Sequence, residues 1–356
     1  MESAIPPHLE CPRTRHRRVP DDYVPPYPSI VARYKPSTQR VVMAYFGLQY
    51  HGTSAPESAG SALQLIAKSF ASDSGPGHWD RARYVDEAGF TNILSIGYWD
   101  APASFDSWFA KHGAAWADGL GEAHAPAAIG TFTEIVRPAM ARFETLFSSD
   151  AAEGVACLAE KWSDVVQEHA YWGGARDRLP LSQTHDLAPV GAPRVLTQGL
   201  HQRVMPHENT CLIRSGQDWT ATELEERRMY VEDVEPVLCA GMNFLRDDGL
   251  PIGCFANRYM TVLDGEGRST EKSFGMSWWK SLAALERWAE SHPTHVAIFG
   301  AAMRYLGTMG PAAKLKLYHE VTVAAAEEQY FEYYNCHSRT GMLRAAAGAN
   351  GAETPR

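Results

Sequence analysis

The clearest pattern in the chain is the strict alternation from Leu315 to Val323. Leu315, Leu317, His319, Val321 and Val323 fall on one side, and Lys316, Tyr318, Glu320 and Thr322 on the other. A period of two predicts a strand, and here it sets an ionisable ring into an aliphatic wall. Just upstream the period changes. Ser291-His292-Pro293-Thr294 reads as a helix start, because proline at the first helical position lacks only an N–H that has no partner inside the helix. A helix running on to Gly307 puts Ala302 and Leu306 within about 20° of His295, and Phe299 within about 40°, at roughly 100° per residue. Gly300, Ala301 and Ala302 are small, so something bulky and flat can approach this helix closely.

The rest of the pattern suggests a duplication. Val41–Tyr50 and Thr210–Trp219 are both strand-like, with Gly47-Leu48-Gln49 in one answering Gly216-Gln217 in the other. Each leads into a helical stretch, Ser58–Ser72 and Ala221–Leu245. Asn92–Trp99 then precedes a helix carrying Phe105, Trp108, Phe109 and His112, while Ser273–Trp279 precedes one carrying Leu282, Leu285 and Trp288. Each half closes on a strand, near Arg142–Phe147 and Lys314–Val323. Two β-α-β-β-α-β units of this kind predict an α+β fold of two ferredoxin-like repeats packed face to face around one core. The expected division is an N-terminal arm over 1–28, a first repeat over 29–177, a linker over 178–206, a second repeat over 207–345 and a flexible tail over 346–356. Pro180, Pro189, Gly191, Pro193 and Gly199 mark the linker as irregular. Asp264-Gly265-Glu266-Gly267 reads as a hairpin turn, since no helix follows it as a phosphate loop requires.

Composition narrows the classes of partner. With 45% hydrophobic and 21% charged residues the chain is ordinary for a globular protein. A net charge of −9 argues against nucleic acid or anionic membrane as the main partner. The chain has no apolar run long enough to span a bilayer and no signal-peptide core near its start, so the expected location is cytoplasmic. Cys11, Cys157, Cys211, Cys239, Cys254 and Cys336 lack metal or redox spacing, which suits reduced, mostly buried thiols.

The candidate chemistry has ordinary alternatives beside it. One histidine on an apolar face is more often a hydrogen-bonded core residue than a ligand. A zinc reading through His292, His295 and His319 or Glu320 lacks the HExxH or CxxC spacing such sites use. Ser215 shares a strand face with Cys211 and Ile213, a second polar group in an apolar wall, and its default role is a bond to nearby backbone. Arg178, in Tyr171-Trp172-Gly173-Gly174-Ala175-Arg176-Asp177-Arg178, is by default a solvated arginine. Residue types and spacing alone reach an α+β protein with a buried polar site.

Longer strings carry more. They include Met1–Ile5, Cys11-Pro12-Arg13-Thr14, Phe143-Glu144-Thr145-Leu146, Tyr171-Trp172-Gly173, Ile213–Trp219, Glu286-Arg287-Trp288, Glu290-Ser291-His292-Pro293-Thr294-His295, Leu317–Val321, Asn335-Cys336-His337 and Thr340–Arg344. In these the chain closely resembles the bacterial aldoxime dehydratases, haem enzymes that convert aldoximes to nitriles, over almost its whole length. The resemblance implies a dimeric α+β-barrel-type core with haem b in a largely apolar pocket, active as Fe(II), and a homodimer. It implies His295 as the axial ligand to the haem iron, and Ser215 and His319 on the distal side with Arg178 nearby and Glu144 in support. The implied substrate is a small aldoxime bound through its oxime nitrogen, with His319 as general acid and base. Thr308-Met309-Gly310-Pro311-Ala312 looks a few residues longer than the family pattern, between the two histidines. Two other readings stand beside this one: a haem peroxidase or chlorite-dismutase-like enzyme, and a haem-binding protein without catalysis.

Overall fold

Val42–His51 (β1) is apolar at both parities, so neither of its faces suits water, and its residues from Val42 to Tyr50 are all buried. A strand of this kind needs a sheet with cover on both sides. The computed structural model, which describes residues 1–117 and 129–347, supplies it as a curled antiparallel sheet of twelve strands with helices outside.

The first half runs β1, α1 (Glu57–Phe70), β2 (His78–Val85), β3 (Phe90–Trp99), α2 (Pro102–Ala117) and β4 (Gly130–Val136). After β5 (Phe143–Phe147), α3 (Gly174–Arg178), β6 (Arg194–Gln198) and β7 (His201–Met205), the second half follows the same plan. It runs β8 (Thr210–Asp218), α4 (Leu224–Met229), α5 (Glu235–Asp248), β9 (Cys254–Leu263), β10 (Ser269–Trp279), α6 (Leu282–Ser291), α7 (Pro293–Met309) and β11 (Lys316–Ala324), then β12 (Gln329–Tyr334). The order across the sheet is β5-β11-β8-β10-β9-β2-β3-β1-β4-β12-β7-β6. Within each half the fourth strand lies beside the first, the first beside the third and the third beside the second. A short antiparallel seam of Arg81–Arg83 on Thr261–Leu263 joins the halves.

Strand parity sorts the side chains into layers. Met43, Tyr45, Leu94, Ile96 and Phe132 of the first half meet Leu212, Met260, Phe274, Met276 and Trp278 of the second in one core inside the curl. The opposite parity of the first half, with Phe46 and Ile135, packs under α1 and α2. In the second half Cys211, Trp279, Val321 and Val323 pack with Leu238 and Met242 of α5 and Leu285 and Trp288 of α6.

Three expectations need correction. The strand at Arg142–Phe147 does not close the first half: β5 pairs with β11 of the second, and β4 closes the first. Glu134 made β4 look unlike a buried strand, yet it is fully buried because Arg258 neutralises it. The stretch expected to be irregular contains the β6–β7 hairpin, turned at Gly199 with φ 60°, which pairs with β12. The helix expected over Ala221–Leu245 is interrupted by a π-turn at Tyr230–Val234. Of the expected tail, residues 348–356 lie outside the described residues. All six cysteines are free.

Candidate active site

Register across five strands builds one wall of the site. Reading from β5 to β9, Leu146, His319, Ser215, Gly275 and Tyr259 lie in one row. Glu144, Val321, Ile213, Ser277 and Asn257 form the next row. His319 and Ser215 are direct cross-strand partners, so a single small molecule reaches both. The Thr308–Ala312 connection leads into β11. It is taken up by the last turn of α7 and a 3₁₀ turn over Gly310–Ala312, with Gly310 at φ 54°.

The reverse faces of the same strands are buried too. There the Arg214 guanidinium donates to the Tyr318 hydroxyl at 3.0 Å and pairs with Asp80 at 2.8 Å, while Glu320 accepts the Val155 N–H at 2.9 Å. Alternation therefore places Glu320 on the far side of β11 from His319. The Nδ1 of His292 is engaged at the start of α7, at 2.9 Å from Thr294 Oγ1. The zinc reading through these residues fails on that geometry.

Arg178, expected by default in solvent, is 4% exposed. Its Nε and Nη2 donate to the two Glu144 oxygens at 2.6 and 3.2 Å, and its Nη1 donates to the Glu168 carbonyl at 2.5 Å. Nη2 also lies 2.7 Å from His319 Nε2, which is 3.2 Å from Glu144 Oε1. A neutral ring accepts from Arg178 at that nitrogen, whereas a protonated ring donates to Glu144. Both protonation states thus find a partner without movement. Burial pushes the Glu144 carboxyl up, but Arg178 and His319 overcome it and hold Glu144 below its ordinary value. His169, fully buried beside this group, is lowered to about 4 by desolvation and the charge of Arg178. Among the described residues Ser215 Oγ makes no hydrogen bond, although its default role was one to backbone.

α6 packs on this wall, and α7 packs on α6. Ser281 caps α6 by accepting the Ala284 N–H at 3.2 Å, and His292 with Pro293 starts α7. The Trp288 indole N–H donates to Thr294 Oγ1 at 3.0 Å, which locks that ring against the first turn of α7. His295 then sits edge-on between two indoles, with centroids 4.6 Å from Trp288 and 5.8 Å from Trp172. Desolvation lowers its pKa to about 4, so it is neutral at pH 7. Its Nδ1 is buried without a hydrogen bond. The stripe it heads is only partly covered: α7 packs on α5 and α6 and Leu306 on the Trp219–Tyr230 cluster, whereas Phe299 is 42% exposed. A neutral imidazole donor on a helix face that also bears the small Ala302 fits a haem iron ligand.

Trp172 was not singled out from the sequence. Only its place in Tyr-Trp-Gly-Gly, where two glycines follow two large aromatics, hinted at a close approach.

The site thus carries two histidines in apolar settings, His295 between two indoles and His319 beside Ser215, Arg178 and Glu144. A family model described as haem-containing dehydratase matches residues 44–342. An aliphatic aldoxime dehydratase of Pseudomonas chlororaphis is 44% identical, covering 98% of this chain and 99% of that protein. A phenylacetaldoxime dehydratase of Bacillus sp. (strain OxB-1) is 32% identical, covering 92% and 94%. A crystal structure of an aldoxime dehydratase in complex with butyraldoxime superposes with a TM-score of 0.92 at 41% identity, covering 97% of each chain. The chain belongs to the haem-containing dehydratase family.

Proposed function

We propose that this protein dehydrates aldoximes, R-CH=N-OH, to nitriles and water, using haem b held by His295. The observation that carries the reading is the pairing of Ser215 with His319 across β8 and β11, with Arg178 and Glu144 fixed on the same ring. The relatives' names supply the substrate class.

Hydroxide leaves poorly, so the oxime oxygen needs a proton as the N–O bond breaks. A haem held by His295 would supply electron density to that bond. Ser215 donates to the oxime oxygen and holds it beside His319. Protonated His319 gives a ring proton to the departing oxygen, then takes the carbon-bound proton as the C≡N bond completes. The proton count closes on one ring, and water is the only other product. Arg178 keeps the neutral ring oriented, Glu144 receives the protonated one, and the indoles of Trp172 and Trp288 keep water from His295. General acid–base help of this kind is worth about 10²–10⁴ in rate.

The same reading takes the fold as two ferredoxin-like repeats, 29–177 and 207–345, in a dimeric α+β-barrel-type core. The linker spans 178–206, and each repeat lends its last strand to the other's sheet. It takes the molecule as a cytoplasmic homodimer. No described helix is long and apolar enough to cross a membrane.

The ligand assignment is tested by His295→Ala, which should purify with little haem by its absorption spectrum. Full haem occupancy in that variant would remove His295 as the ligand.

A further inference from the structure

The segment from Tyr171 to Arg178 touches both sides of the pocket. At its start the Trp172 indole lies edge-on to His295 and 5.2 Å from the Phe299 ring, both on α7. At its end Arg178 holds Glu144 and His319. Between them, Arg176 grips Glu286 of α6 through Nε and Nη2 at 3.0 and 2.7 Å, two residues before Trp288, the second indole on His295. Asp177 accepts the Tyr171 hydroxyl at 2.8 Å and pairs with Arg13 of the N-terminal arm at 3.7 Å.

The glycines show how closely this strap is held. Gly173 has φ 100°, and a Cβ there would stand 2.8 Å from Arg18 Cδ. A Cβ on Gly174 would stand 3.2 Å from Arg178 Nη1 and 3.3 Å from the Glu168 carbonyl. The strap is therefore bare where the arm presses on it and where its own terminal arginine folds back. With Trp172, Arg176, Asp177 and Arg178 all engaged, one short segment ties the His295 ring to the Arg178–His319 contact.

We propose that Trp172 is a positioning residue that couples the two sides of the pocket: it seats the His295 ring and, through the strap, seats Arg178 against His319. This rests on the reading of His295 as the haem ligand.

The test compares haem-loaded wild type with Trp172→Ala, Trp172→Phe and Trp288→Ala. The iron–histidine stretching band of the reduced protein reports the His295 side, and the C–O stretching band of the carbon monoxide adduct reports the distal side. Trp288→Ala should shift the first band alone. Trp172→Ala should shift both, and Trp172→Phe should restore both towards wild type. Transfer of haem to apomyoglobin should speed up roughly tenfold or more in both alanine variants, the usual loss when a group that orients a metal ligand is removed. Trp172→Leu carries the same expectation if Trp172→Ala does not take up haem. A Trp172 variant that moves the iron–histidine band and leaves the C–O band at its wild-type position overturns the coupling, as does one that moves neither. An unchanged iron–histidine band in His295→Ala instead overturns the ligand reading on which the proposal stands.

Discussion

His319 takes its character from Glu144 and Arg178, two residues far from it in sequence. Arg178 lies 141 positions away and Glu144 is on β5, after the first half, so no local pattern in the sequence joins the three. Periodicity showed that His319 and Ser215 face an apolar wall, because parity is a local property. It was silent on the burial of Arg178, which depends on a charge partner brought in by the fold. Glu144 supplies a pH test. Its folded-state pKa is lowered, so the stability it contributes is fully present above its unfolded value, about 4.3, and is lost as pH falls through the lowered folded value. Urea midpoints of wild type and Glu144→Gln should therefore differ by a constant amount near pH 7 and converge as pH falls below the ordinary carboxylate range. A gap that does not change with pH contradicts the assignment of Glu144 as a paired carboxylate.

At the scale of elements, the strand of His319 and the helix of His295 were legible because each keeps one period over several turns or residues. The observed bounds, Lys316–Ala324 and Pro293–Met309, differ from the expected ones only at the ends. β4 was missed because Thr131, Thr133 and Glu134 look like solvent-facing residues; Arg258, Trp278 and Tyr333 converge on Glu134, while on the other face Thr131 donates to the Trp116 carbonyl at 3.1 Å. The two faces of β8 carry separate tasks, which predicts separable effects. A Cβ on Gly216 would run into the Tyr318 ring on the interior face, away from Ser215. Gly216→Ala should then cost about 1–3 kcal/mol of stability by overpacking, read from the urea midpoint. Its iron–histidine band should stay at the wild-type position, and a shift of that band with unchanged stability would contradict this division of faces.

Across the whole molecule the halves are interlocked. β5 follows the first half but pairs with β11, and β12 follows the second half but pairs with β4. The exchange delivers Glu144 to the wall that carries His319 and Ser215, so the site exists only when both halves are folded. It was not legible in the sequence, since closing strands look alike wherever they pair. Between the halves the Glu134 carboxylate takes two bonds of 2.6 Å from Arg258, with Trp278 and Tyr333 donating as well, a buried pair whose lone pairs are satisfied from three other strands. The interlock therefore sets Glu144 beside His319 on β11, and the proposed reaction adds a haem held by His295 of α7. The most direct test of that arrangement is the butyronitrile formed from butyraldoxime, without oxygen and with dithionite, by haem-loaded wild type and by His319→Ala. Wild type should produce the nitrile, and the variant should keep its haem while slowing by at least about tenfold to a hundredfold, as loss of a general acid–base group requires. Nitrile formation at the wild-type rate by His319→Ala would contradict the account.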